Sequence, residues 1–249
     1  MNAMIFAAGV GSRLHPITNN CPKALVEIEG CPLLDIALKK MERIGVQRVV
    51  VNVHHHADKV ITFLKNRICN TEVVISDERN LLMDSGGGLL KAKDLFIKKQ
   101  PILLYNADIV TDIDLSELTA FHLKSKNLVT LFVQKRNASR YLLFGKTGRL
   151  CGWLNSQTGE EKWSVAPEPF SMLGYNGVQA VNYELLSYLD NIEGVFSIIP
   201  EYLRLAAAHN ICGWMNNNAK WFDIGTVEKL NNAQSYLKSI SDYQKNRFF

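Results

Sequence analysis

Residues 4–28, MIFAAGVGSRLHPITNNCPKALVEI, run from an apolar, strand-like segment into a long connection that holds two glycines, an arginine and a Pro-Lys pair. The first predicted helix opens only at residue 33. A βα connection of about two dozen residues far exceeds the usual few, so the loop is read as functional rather than as a link.

The segments around that stretch set the fold class. Short, mostly apolar, β-branched runs recur at 3–8, 48–53, 72–76, 102–106 and 128–134, and they read as strands buried on both faces. Helix-period stretches lie between them at 33–44, 57–66, 88–96 and 114–123. In the first of these Leu34, Leu38, Met41 and Ile44 share a face, and Gly45 stands where a helix stop belongs. This β-α-β-α alternation predicts an α/β fold with a mainly parallel sheet. After about residue 135 the pattern changes: RYLLFGKTGRLCGWL reads as a hairpin turning at 145–148, followed by a polar stretch. A β-rich insertion over about 135–175 is expected within one domain covering 1–249. A strand at 176–182, a helix near 196–208, strands near 212–222 and a closing helix at 226–238 return to the mixed pattern.

Bulk properties narrow the class further. The 249 residues are 47% hydrophobic and 21% charged with a mean hydropathy of −0.04, as in an ordinary globular chain. The formal charge of +4 is not gathered into a basic run, so neither nucleic acid nor a membrane is expected as a partner. A homo-oligomer is left open. Five scattered cysteines (Cys21, Cys31, Cys69, Cys151, Cys212) form no C-x-x-C pair, which argues against a disulfide framework or a thiolate zinc site and for a reducing cytoplasm. No signal-peptide pattern and no apolar run of about 18 residues is present, so no span or secretory leader is expected.

Within the opening loop, Gly9 and Gly11 permit close backbone approach, Ser12 adds a hydroxyl, Arg13 offers a planar cationic fork, and Lys23 returns a second positive charge. These groups suit a multiply charged anion. A dinucleotide fingerprint fails, because Leu14 stands where its third glycine belongs and the end of the next strand, Asn52 to His56, carries no acidic residue. No P-loop motif occurs. Downstream, YNADIVTDIDL puts Asp108 just past a strand end, and WFDIGTVEKL puts Asp223 in a similar place before a helix capped by Thr226. Two such carboxylates can share one hard cation, and Mg²⁺ prefers one or two carboxylates plus phosphate oxygens. Asp114 with Glu117 has capping-box spacing, and Asp112 reads as solvated. Gly86, Gly87 and Gly88 at a helix start offer close approach and N–H donors. His54, His55 and His56 are adjacent on a strand and cannot all converge on one ion.

Taken together, Ala7, Ala8, Gly9, Gly11, Arg13, Leu14, Pro16, Thr18, Pro22 and Lys23 resemble the LAAGxGxRLxPxTxxxPK signature of sugar-phosphate nucleotidylyltransferases. The resemblance extends to the closing helix. It implies the three-layer α/β/α, Rossmann-like mixed sheet of the nucleotide-diphospho-sugar transferases. The implied reaction joins a nucleoside triphosphate to a sugar 1-phosphate and releases pyrophosphate. Ala7, Ala8, Gly9, Gly11, Ser12 and Arg13 would then hold the triphosphate and Lys23 would stabilise the reacting phosphates. Asp108 and Asp223 would bind the catalytic Mg²⁺, and Gly86 and Gly87 would line the nucleotide pocket. Asn106, Asn176 and Gly177 would contact the sugar, with Glu168 a further acidic candidate. Met83-Asp84-Ser85 departs from the family's usual Glu-Thr before its three glycines, which leaves base and sugar preference open. Within the family, the compact length, the Ser-Gly-Gly-Gly segment and the WFDIGT ending look most like the N-acetylmuramate 1-phosphate uridylyltransferases of cell-wall recycling, with mannose-1-phosphate guanylyltransferases close behind. The β-helical acyltransferase domain attached to some relatives is not expected. Two rival classes remain. A related glycosyltransferase would use Asp108 with Asp112, against which Arg13 and the Pro22-Lys23 pair of the opening loop argue; a regulatory subunit would bind a nucleotide-sugar without turnover, against which the retained Arg13, Lys23, Asp108 and Asp223 argue.

Overall fold

The computed structural model describes residues 1–68, 70–165 and 169–249. Strand β1 (Asn2–Phe6) leads into the long loop, which forms three single 3₁₀ turns before a two-residue ribbon, β2 (Glu27–Ile28) with β3 (Cys31–Pro32), delivers helix α1 (Leu33–Arg43). Then follow β4 (Arg48–Val53), α2 (Ala57–Asn66), β5 (Glu72–Asp77), α3 (Asp84–Lys91), β6 (Ile102–Asn106), β7 (Ile109–Thr111), α4 (Leu115–Lys124) and β8 (Val129–Gln134). The insertion supplies β9 (Arg140–Gly145), β10 (Leu150–Asn155) and β11 (Glu161–Trp163), and the long β12 (Phe170–Val181) returns from it. Helix α5 (Ile198–Ala206), β13 (Ile211–Met215), β14 (Trp221–Asp223), α6 (Val227–Ser239) and α7 (Asp242–Lys245) complete the chain.

The main sheet runs β11-β10-β9-β12-β6-β1-β4-β5, with β8 and β13 branching from β12. Strands β6, β1, β4 and β5 are parallel, as the alternation predicts, whereas β12 is antiparallel to β6, β8 and β9. The period of two along each strand builds three layers. Ala3, Ile5, Val49 and Val51 face one core with α1, α2 and α4, while Met4 and Val50 face another with α3 and α5. Gly45 ends α1 in the left-handed region at φ 69°, with Val46 N–H bonded to the Met41 carbonyl. That helix is buried on two sides, because Leu33 and Ile36 pack against Leu230, Ala233 and Leu237 of α6. Among the described residues no helix is long and apolar enough to cross a membrane.

Two features of this topology position the site. Strand β1 lies between β4 and β6, so the chain switches direction across the sheet at β1 and opens a crevice at the carboxyl ends of β1 and β6. The register of β12 against β8 also slips between Tyr175 and Gln179, a bulge that holds Asn176 and Gly177. The strand expected at 176–182 therefore starts six residues earlier, at Phe170, and crosses from the insertion into the main sheet.

Candidate active site

At the end of β1 the Ala7 N–H donates to Asn52 Oδ1 at 2.7 Å, and Asn52 Nδ2 donates to Glu78 Oε1 at 2.8 Å. Glu78 is fully buried, and its other oxygen accepts from Met83 N–H at 3.2 Å. This relay fixes the start of the glycine loop against β4. Beyond it lies a cavity of about 440 Å³ walled by Ala7, Ala8 and Gly9 on one side and by Asn106 and Asp108 from the end of β6 on another. Lys23, the first residue of the last 3₁₀ turn, reaches in and forms an ion pair with Asp108. Asp84, Ser85, Leu82 and Val195 close the far side.

Gly11 and Ser12 are not part of this wall. Gly11 builds the turn, with φ 72° and its carbonyl accepting from Thr18 Oγ1 at 2.8 Å; a Cβ there would meet Lys23 Cβ at 3.0 Å. Gly86 and Gly87 also differ from expectation. Both N–H groups donate to the Phe196 carbonyl, at 2.9 and 3.1 Å, so they are not free for a ligand. A Cβ at Gly86 would fall 2.3 Å from the Phe196 ring, which makes close packing of α3 against the segment before α5 the physical reason for the glycines.

Asp108 and Asp223 are brought side by side. Strand β7 pairs with β14 so that Asp223 opposes Ile109, and Ile224 N–H donates to the Asp108 carbonyl at 2.8 Å. Asp223 accepts from Lys229 Nζ at 2.6 Å, one turn into α6, whose N-cap Thr226 accepts from Lys229 N–H at 3.2 Å. The two carboxylates come from adjoining strand ends, each held by a lysine, and no third acidic or imidazole group clusters with them among the described residues; the chemistry of that donor set suits a magnesium ion completed by phosphate oxygens and water.

Asp223 faces a second cavity of about 780 Å³, and Arg13 lines this one rather than the first. Its guanidinium and the Asp223 carboxylate both flank Gly225, where a Cβ would meet them at 3.2 and 2.8 Å. Asn176 and Gly177, expected to contact the sugar, support this cavity from behind. Asn176 is fully buried, its Oδ1 accepting from Arg136 Nε at 2.7 Å and its carbonyl from Trp221 Nε1 at 2.8 Å. Gly177 sits at φ 75° with room for no side chain, since a Cβ would lie 2.9 Å from Asn106 Nδ2.

The group these residues present is Arg136, which the sequence reading did not single out. It also donates to the Tyr175 carbonyl at 2.6 Å and lies 4.2 Å from the centroid of the Trp221 ring. Burial pulls its pKa down and the charge on Asp223 opposes that shift. A signal existed in Gly174, because only a glycine leaves room for Arg136, whose Cζ would be 2.8 Å from a Cβ there. Asn52 was also legible, as a polar residue inside the apolar run RVVVNV.

One side reading is corrected, and others find their place. Asp112 is not solvated: its Oδ1 accepts from Lys220 N–H at 2.7 Å and it lies 3.8 Å from Arg247, which ties it to the backbone before β14 rather than to a metal pair with Asp108. Asp114 caps α4 by accepting from Ser116 N–H at 2.8 Å. His54 Nδ1 bonds the Glu78 carbonyl, and the described residues contain no metal-ligating cluster of three or more His, Cys, Asp or Glu. Glu168 lies outside the described residues.

A glycine loop at a topological switch point, with a lysine–aspartate pair at its mouth and a second carboxylate from the adjoining strand, suits an α/β enzyme for phosphate-bearing substrates. Comparison with known proteins agrees. A nucleotidyl transferase family profile matches residues 2–148. The chain is 33% identical over 242 residues to an N-acetylmuramate alpha-1-phosphate uridylyltransferase of Caulobacter vibrioides, covering 94% of this chain and 96% of the relative. It is 26% identical to mannose-1-phosphate guanylyltransferase 1 of Arabidopsis thaliana, over 96% of this chain and 66% of that protein. The fold is shared with a putative glucose-1-phosphate thymidylyltransferase from Bacillus anthracis, solved in complex with sucrose, at TM-score 0.77 and 17% identity over 99% of both chains. The chain belongs to the nucleotidyl transferase family, and it is an enzyme of the sugar-phosphate nucleotidyltransferase class.

Proposed function

We propose that this protein joins UTP to N-acetylmuramate 1-phosphate, releasing pyrophosphate, in one domain spanning residues 1–249 and in the cytoplasm. The carrying observation is the pair of cavities that flank the Asp108–Ile224 hydrogen bond: the glycine loop and Lys23 line one, and Arg13, Arg136 and Lys229 line the other. Two phosphate-bearing substrates placed in them would meet near the adjoining strand ends that carry Asp108 and Asp223. The Caulobacter relative, similar along nearly its whole length, supports this choice of base and sugar over the guanylyl alternative.

In this reading Ala7, Ala8 and Gly9 let the nucleotide approach the backbone, and Lys23 and Arg13 hold phosphate oxygens from opposite sides. A sugar-phosphate oxygen attacks the α-phosphorus in line, the bond to the β-phosphate oxygen breaks, and pyrophosphate leaves. The work is positioning and charge neutralisation, so no covalent enzyme intermediate is needed. Bound at Asp108 and Asp223, Mg²⁺ would supply charge neutralisation at the reacting phosphates. Asn106 borders the nucleotide cavity, and Arg136, braced by Asn176 and Trp221, meets the sugar phosphate.

The test is pyrophosphate release with Mg²⁺ across four ribonucleoside triphosphates and the 1-phosphates of N-acetylmuramate, N-acetylglucosamine, glucose and mannose, with phosphocholine included. UTP with N-acetylmuramate 1-phosphate should give the highest kcat/KM. A higher value for GTP with mannose 1-phosphate would replace the substrates, and silence across the panel would remove the activity.

A further inference from the structure

The second cavity carries more positive charge than its reacting end uses. Among the described residues, Arg13, Arg136, Arg140, Lys162 and Lys229 line it against a single carboxylate, Asp223. Three of these cations have a protein partner, and Arg13, which has none among the described residues, stands beside Asp223 at the reacting end. Lys229 is paired with Asp223, Arg13 flanks it, and Arg136 is held by Asn176 and Tyr175. Lys162 lies 3.2 Å from Glu160, with its ammonium 5.5 Å from the centroid of the Trp153 ring. The Arg140 side chain has no hydrogen-bond or ion-pair partner among the described residues.

Its place in the sheet gives it a direction. Arg140 opens β9, two residues before Leu142 and therefore on the same face. Leu142 pairs with Trp153 of β10, and Trp153 pairs in turn with Lys162 of β11. These four residues form one face of the insertion, and all four line the cavity, on elements other than the loop, β14 and α6 that supply Arg13, Asp223 and Lys229. A hexose 1-phosphate with its phosphate at the Asp223 end turns its ring substituents toward this face. A planar guanidinium there matches a carboxylate with two parallel hydrogen bonds, and Trp153 and Leu142 cover the apolar part of the same substituent.

We propose that Arg140 determines sugar specificity by binding a carboxylate on the substrate, so that the preferred acceptor is a hexose 1-phosphate with an acidic substituent. The assignment rests on the nucleotidyl-transfer reading above. A neutral sugar leaves Arg140 hydrated at little cost, so the selectivity is gained affinity for the acidic sugar rather than rejection of the neutral one.

The test compares N-acetylmuramate 1-phosphate with N-acetylglucosamine 1-phosphate, which differ by one lactyl ether and its carboxylate. Dissociation constants by calorimetry and kcat/KM are measured for wild type, Arg140→Gln and Arg140→Lys, with thermal midpoints to check folding. Wild type should favour the acidic sugar by about tenfold in both quantities. Arg140→Gln should collapse the ratio toward one, mainly through KM, and Arg140→Lys should restore part of it. Equal affinities in wild type, or a preference that survives Arg140→Gln, would overturn the proposal. An Arg140-dependent preference in binding without turnover of either sugar would uphold it while removing the transfer reading. Turnover of both sugars with no Arg140 dependence would do the reverse.

Discussion

Asn52 shows how one polar residue in an apolar strand organises the end of this sheet that borders the first cavity. Its amide bridges the Ala7 N–H and the buried Glu78 carboxylate, so the loop that follows β1 starts from a backbone fixed on both sides. Asp108 carries the more exposed half of the same logic: its carbonyl anchors Ile224 while its carboxylate faces Lys23. Replacing that carboxylate with an amide keeps the shape and removes the charge. Asp108→Asn should therefore lower Mg²⁺-dependent turnover at least tenfold, about 1.4 kcal/mol in the barrier, with the urea midpoint little changed. Unaltered kinetics would take Asp108 out of the reacting site, and a large loss of stability with the rate per folded molecule preserved would make the Lys23 pair structural.

At the scale of elements, α3 is set by what its glycines allow rather than by what they donate. Gly86 and Gly87 press against Phe196 and Gly194, which ties the helix bearing Asp84 and Ser85 to the segment leading into α5. Gly86→Ala forces a methyl group into the Phe196 ring and should cost on the order of 1–3 kcal/mol in urea unfolding, the usual penalty of overpacking. A neutral result would mean that the Phe196 segment yields without loss. Local pattern carried the reading of elements well wherever one strand or helix buried its own face: β4, β6 and α2 begin and end where periodicity put them. It failed where an element is defined by a distant partner. Strands β7 and β14 are three residues each and exist because they pair across more than a hundred residues. The bulge in β12 exists because Asn176 must leave the ladder to hold Arg136. The places of Arg13, Lys23, Asp108 and Asp223 around the two cavities were legible from loop chemistry and strand ends. The support behind them, Glu78, Arg136 and the packing role of the three glycines, is tertiary and left only faint marks in the local sequence.

Across the whole molecule, the end of the chain is fastened to α1. Lys40 Nζ donates to the Arg247 carbonyl at 2.9 Å, Arg43 to that of Asn246 at 2.8 Å, and Phe248 is buried beside Phe222 and Tyr236, next to the strand that ends at Asp223. Lys40 is almost wholly buried, and desolvation lowers its pKa from 10.5 to about 8. Between those values the unfolded chain binds more protons at this site than the folded one, so the Lys40 contribution to stability rises with pH from about 8 to 10.5. Lys40→Met should remove that rise, so the wild-type minus variant difference in unfolding free energy should increase with pH across this window. A difference independent of pH over this window would show that Lys40 stays protonated in the folded protein.

The most direct measurement is ³¹P NMR of wild-type protein with Mg²⁺, UTP and N-acetylmuramate 1-phosphate. The account predicts that the sugar monophosphate signal gives way to a diphosphate diester while pyrophosphate accumulates in equal amount. Orthophosphate or nucleoside diphosphate as the product, or an unchanged spectrum from folded protein that binds both substrates, would contradict it.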